Sequence, residues 1–94
     1  MGCNEVKSYH VKVEGRVQGV WYRVWAQKKA VNHEIRGWIR NRSDGTVEAV
    51  VCGRELAINK LLEAMKTGPT MANVISIRAE PCDPPINYSF DVLK

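Results

Sequence analysis

Ninety-four residues suffice for one domain with one modest core, expected here to span residues 1–94. Hydrophobic residues make up 45% and charged residues 26%, a balance too apolar for a disordered chain. No apolar run reaches the length of a membrane span, and the start Met1 to Lys7 lacks the apolar stretch of a signal peptide, so no membrane partner and a cytoplasmic location are expected. A net charge of +4 favours an anionic partner, which a phosphorylated small molecule and a nucleic acid would satisfy equally well.

The three cysteines, Cys3, Cys52 and Cys82, show no CxxC spacing and have no histidine placed to complete a metal site. They read as free thiols in a reducing compartment, with a cross-link through Cys3 as a lesser alternative. Val6 to Glu14 alternates, with Tyr9, Val11 and Val13 on one face and Ser8, His10, Lys12 and Glu14 on the other, which predicts a half-buried strand. Gly15 ends it. A helix is expected from about Tyr22, with Tyr22, Trp25, Ala26, Ala30 and His33 roughly along one side and Lys29 interrupting the stripe.

Ile35 to Asn41 reads as a second strand and Thr46 to Cys52 as a third, with Val47, Ala49 and Val51 on its apolar face. Parity puts Cys52 on the opposite face with Thr46 and Glu48, which predicts an exposed thiol. Asn41 to Gly45 connects the two strands as a hairpin. Ile58, Leu61, Leu62 and Met65 fall at helical spacing, and Gly68-Pro69 stops that helix. Asn73 to Glu80, with Ile75, Ile77 and Ala79 alternating, predicts a fourth strand, and Tyr88, Phe90 and Val92 a short edge strand.

The order β-α-β-β-α-β predicts an α+β fold, a ferredoxin-like α/β sandwich with an antiparallel sheet and both helices on one face. A strand-helix-strand crossover makes the first two strands point the same way, with the third inserted between them. The loop after the first strand and Asn41 at the end of the second then share one edge of the sheet, roughly 10 Å apart.

That loop carries the chemistry. In Gly15-Arg16-Val17-Gln18-Gly19-Val20 two glycines let the backbone curl so that N–H groups converge, and the helix start adds unpaired donors and a positive dipole end. Arg23, in the first helical turn, adds a planar fork for two phosphate oxygens. On residue types alone a Gly-x-x-x-Gly turn stays open to a purely structural reading.

Val13 to Arg23 (Val-Glu-Gly-Arg-Val-Gln-Gly-Val-Trp-Tyr-Arg) closely resembles the acylphosphatase signature. So do Gly37-Trp38-Ile39-Arg40-Asn41, Asp44 to Glu48, Gly53, and Gly68-Pro69 with Ala72 and Val74. Two departures stand out: Tyr22 where that family usually has Phe or Met, and Ile39 where a smaller residue is common. Both bear on packing. The bulky Trp21, at a variable position beside the loop, is expected to shape the substrate entrance.

The resemblance implies hydrolysis of acyl phosphates to a carboxylate and inorganic phosphate. Arg23 and Asn41 would be catalytic, and Arg16, Val17, Gln18, Gly19 and Val20 would bind phosphate, with Gly15 and Thr46 in support. A carboxylate leaves readily, so no strong general acid is required, and no metal or cofactor is expected. The Asn41 amide would orient the attacking water, and Thr46 could hydrogen-bond Asn41 across the hairpin. The expected partner is a small-molecule acyl phosphate as substrate, and the chain is expected to be a monomer.

His10 and His33 lack a partner at a suggestive position and read as surface residues. Trp38, alternating with Arg36 and Arg40, reads as a structural residue or as one that packs under the arginines. A rival reading comes from RNA-binding sheets of this topology, because Lys12, Arg36, Trp38, Arg40 and Tyr88 share the open face. The third strand, Thr-Val-Glu-Ala-Val-Val-Cys, lacks the aromatic and basic residues such domains use, so no nucleic acid partner is expected.

Overall fold

A computed structural model describes residues 6–93. Along the chain run β1 (Val6–Arg16), α1 (Tyr22–Asn32), β2 (Arg36–Asn41), β3 (Val47–Arg54), α2 (Glu55–Thr67), β4 (Asn73–Pro81) and β5 (Phe90–Val92). Cys3, with its alternative cross-link, lies outside the described residues. Apolar residues at period two form one sheet face: Val11 and Val13 of β1, Ile39 of β2, and Val47, Ala49 and Val51 of β3 are each fully buried. Tyr22, Ala26 and Ala30 of α1 and Ile58, Leu61 and Met65 of α2 close over that face in the same cluster. Burying an aliphatic side chain of this size contributes about 1.5–3 kcal/mol, so this layer is the main source of stability.

The strand order is β4-β1-β3-β2-β5, and β3 is antiparallel to both β1 and β2. Hence β1 and β2 run the same way with β3 between them, and their C-terminal ends meet at one edge, as the crossover argument requires. The ferredoxin-like sandwich is present, but the sheet is mixed rather than antiparallel. β5 lies parallel to β2, pairing Gly37 with Phe90 and Ile39 with Val92. The reason is the route of the chain. It leaves β4 at one edge, crosses the far end of the sheet through residues 82–89, and must ascend beside β2.

That crossing also overturns the expected exposure of Cys52, which is 1% exposed. The N–H of Cys82 donates to the Ser8 carbonyl, and Arg36, on the helix-free face, donates to the Pro85 and Asn87 carbonyls at 2.6 and 2.9 Å. The 82–89 segment therefore lies over the helix-free face where Cys52 sits. Local alternation cannot reveal a covering segment thirty residues away.

Ile75 is a second correction. Its alternation with Ile77 and Ala79 implies a place on the strand's apolar face, but it is 77% exposed, because the β1–β4 register shifts at Glu14/Gly15, where Ser76 pairs with Glu14 and Val74 with Gly15. Ile75 is the extra residue of that irregularity, and Val74 takes the inward place. Gly15 is indispensable there. A Cβ on it would collide with the Asn73 carbonyl oxygen of the adjoining strand.

Candidate active site

Residues 16–21 leave the end of β1 and turn into α1 at the sheet edge where β2 ends. The side chains of Val17 and Val20 are buried in the core and pin the loop at two points, while Arg16 and Gly19 are exposed. Gly19 has φ +73°, in the left-handed region, with open space where a Cβ would stand. Among the described residues, no hydrogen bond from the backbone N–H of Val17, Gln18, Gly19 or Val20 to another backbone carbonyl closes the loop. The first turn of α1 holds no acidic residue, so its dipole end is uncompensated. Unpaired loop N–H donors beside a positive helix end favour an anion.

Two ties fix this loop against the rest of the edge. Gln18 Nε2 donates to the carbonyls of Arg42 and Thr46 at 2.7 and 2.8 Å, bracing the loop on the β2–β3 hairpin immediately beyond Asn41. Arg23 donates through Nη1 to the Leu93 carbonyl at 2.6 Å, and the Leu93 N–H in turn donates to Ile39, two residues before Asn41. The C-terminal end of β5 thus holds the guanidinium while leaving its other N–H groups available. Sequence reading missed both ties. Gln18 enters as a side-chain brace, where only its backbone N–H had been considered, and Leu93 had no local signal.

Asn41 ends β2, half-buried, with its backbone in register with Val47. Its Oδ1 is shielded from solvent and accepts no hydrogen bond from the described residues. An orphaned buried acceptor costs about 1–3 kcal/mol, a cost that a hydrogen-bond donor brought to this edge would relieve. Thr46 does not supply it. The Thr46 hydroxyl donates to Asp44 Oδ1 at 2.6 Å and its N–H to the same oxygen at 3.0 Å, which holds the Asp44 carboxyl below its ordinary range. Thr46 reaches the loop through its carbonyl instead.

Tyr22, the family departure, is accommodated by a hydrogen bond. Its hydroxyl donates to the Met65 carbonyl at 2.7 Å, joining the two helices, and burial pushes its pKa up. Ile39 is fully buried in the core.

A second polar cluster lies on the helix-free face, and it corrects the reading of His10. His10 Nε2 lies 2.7 Å from Glu48 Oε2, and Arg40 and Arg42 reach the same carboxylate at 2.5 and 3.2 Å. Glu48 is 5% exposed. Burial acts to raise its pKa, but the hydrogen bonds from His10 and Arg40 and the charges of Arg40 and Arg42 outweigh it, and the net shift is downward. The signal was the β1–β3 register, which sets Lys12 opposite Glu48 and so brings His10 diagonally within reach. Trp38 packs under Arg40 as expected, 5.5 Å from ring centroid to guanidinium. Among the described residues there is no group of three or more His, Cys, Asp or Glu placed to hold a metal ion, and no helix is long and apolar enough to cross a membrane.

Comparison with known proteins gives a consistent result. The acylphosphatase family model matches residues 9–92. An acylphosphatase of Rhodospirillum rubrum is 44% identical over 85 residues, 90% of this chain and 93% of that protein. Among solved structures, an acylphosphatase from Coxiella burnetii superposes with a TM-score of 0.90 at 37% identity, covering 96% of this chain and 94% of that one. That of Bacillus subtilis gives 0.89 at 32%, covering 96% and 100%. Since the family model matches residues 9–92 and these relatives cover nine-tenths or more of the chain at up to 44% identity, the chain belongs to the acylphosphatase family.

Proposed function

We propose that the acyl phosphate hydrolysis of this family takes place here at the edge formed by the β1–α1 loop and the end of β2. Backbone N–H groups of residues 16–20 and the Arg23 guanidinium hold the phosphoryl oxygens. Gly15 lets the loop depart closely from β4, and Asn41 places the attacking water. The observation that carries this reading is the unpaired, buried Oδ1 of Asn41 at the rim of a loop whose donors are also unpaired.

An acyl phosphate joins phosphorus to a carboxylate through one bridging oxygen. In-line attack by water forms the new P–O bond as the bridging bond breaks, and the electron pair leaves with the carboxylate. The carboxylate is stable as an anion, so it departs without a general acid. The amide oxygen of Asn41 can accept a hydrogen bond from the water and aim it, but an amide is too weak a base to deprotonate it. The water's proton passes to a phosphoryl oxygen of the substrate. Arg23 and the loop donors stabilise charge on the equatorial oxygens without reorganising, because the Leu93 carbonyl and the Gln18 brace already hold them.

One chain supplies every group named, which supports a monomer as the working unit. Cys52 and Cys82 are free thiols, in keeping with a cytoplasmic setting. The test is a side-by-side assay with a simple acyl phosphate and a phosphomonoester, each with a chelator present. The acyl phosphate should be hydrolysed and the monoester barely touched. Preference for the monoester, or loss of activity on chelation, overturns the reading.

A further inference from the structure

Beside the phosphate loop, at the start of α1, lies an open depression of about 310 Å³ lined by Val17, Gly19, Trp21, Tyr22, Arg23 and Val24. Gly19 and Arg23 belong to the phosphate site. The rest of the lining is apolar, but Val17 and Tyr22 are each 1% exposed and serve the core. Exposed apolar surface comes from Trp21, 78% accessible, and from Val24, 37% accessible and three residues further along the helix.

Trp21 holds this position at a cost. It caps α1 in the left-handed conformation, with φ 65° and ψ 17°, and its side chain makes no capping hydrogen bond. That conformation costs a non-glycine residue about 1–2 kcal/mol. An indole left 78% in solvent recovers little of it through packing, and glycine or asparagine would occupy the same backbone more readily. Strain of this kind, held at the mouth of a site, points to a role in what the site binds.

We infer that Trp21 is the platform for the acyl group, with Val24 beside it, and that the enzyme prefers acyl phosphates whose acyl part is flat and apolar, aromatic ones above all. This rests on phosphate occupying the loop as proposed above. In-line displacement sends the leaving carboxylate away from the water held by Asn41, so the acyl group needs its contacts on the loop side. There Trp21 and Val24 are the exposed apolar surfaces of the depression. Aromatic groups stack on an indole face, whereas an acetyl group is too small to use it.

The test is steady-state kinetics with benzoyl phosphate and acetyl phosphate on the wild type, Trp21→Phe and Trp21→Asn, with inorganic phosphate inhibition measured on each. Asparagine tolerates the left-handed backbone, so Trp21→Asn removes the ring without adding strain. The benzoyl-to-acetyl ratio of kcat/KM should fall about tenfold in Trp21→Asn, chiefly through KM for benzoyl phosphate. Trp21→Phe should keep most of the preference. An unchanged ratio in Trp21→Asn overturns the inference. So does an equal loss on both substrates with weakened phosphate inhibition, which would make Trp21 a shaper of the loop. If inorganic phosphate fails to inhibit the wild type, the phosphate-site reading falls first, and this inference falls with it.

Discussion

Two basic regions of this molecule look alike in sequence and differ in what their polar groups still have to do. On the helix-free face Arg40 and Arg42 bind Glu48, and Arg36 binds the carbonyls of the 82–89 segment. At the sheet edge the N–H groups of residues 17–20 close no loop hydrogen bond, Arg23 donates to Leu93 through one nitrogen, and Asn41 Oδ1 is unpaired. The first region has largely answered its own polar groups. The second leaves them open at one edge of the sheet. Charge alone draws attention to both, and only the state of the hydrogen bonds separates a structural cluster from a binding site. The same contrast weighs against a nucleic-acid role for the sheet face, whose arginines are already engaged.

The largest expected effect comes from Arg23. Lysine keeps the charge but loses the planar fork that can hold Leu93 and a phosphoryl oxygen together. Arg23→Lys should lose about three orders of magnitude or more in kcat/KM, about 4 kcal/mol. Activity near that of the wild type would reduce Arg23 to a counter-charge and weaken the contrast between the regions.

Gln18 offers a smaller effect at the same edge. Gln18→Ala keeps every backbone donor of the loop but frees it from the hairpin, so kcat/KM should fall about tenfold, with weaker inhibition by inorganic phosphate. A variant indistinguishable from the wild type would show that Val17 and Val20 alone hold the loop.

Glu48 should affect the rate least, though it matters for stability. Its partners Arg40 and Arg42 are nearly half exposed, so solvent can take over much of what they lose. Glu48→Gln should therefore cost about 1–2 kcal/mol rather than the larger figure for a wholly buried pair, with kcat at neutral pH near the wild-type value. The folded-state pKa of Glu48 lies below its ordinary 4.5. Its contribution is thus fully present above that ordinary value and is lost as pH falls through the folded one. The melting-temperature gap between wild type and Glu48→Gln should be widest at neutral pH and narrow as the solution is acidified. A gap that widens in acid would contradict the assignment.

How much of this was legible in the sequence depended on the range of the interaction. Alternation in β1, the helical spacing of Ile58 to Met65 and the glycines around the loop are local signals, and they placed the elements, the shared edge and the position of Asn41. What escaped was set by distant partners. The β1–β4 irregularity turned Ile75 outward, and residues 82–89 buried Cys52 and brought β5 in parallel. His10 met Glu48 only through a cross-strand register. Gln18 is the instructive residue at the site. Its place in the loop was plain, but what its side chain grips depends on the hairpin more than twenty residues later.

The measurement that bears most directly on the division of labour at the edge uses Asn41→Ala, with phosphate affinity by calorimetry set beside kcat. Arg23 and the loop donors remain in that variant, so inorganic phosphate should bind about as tightly as to the wild type. The rate should fall by roughly two to four orders of magnitude, about 3–5 kcal/mol of transition-state stabilisation. If phosphate affinity falls in proportion to the rate, Asn41 holds the phosphate, and the water-placing role assigned to its unpaired oxygen is contradicted.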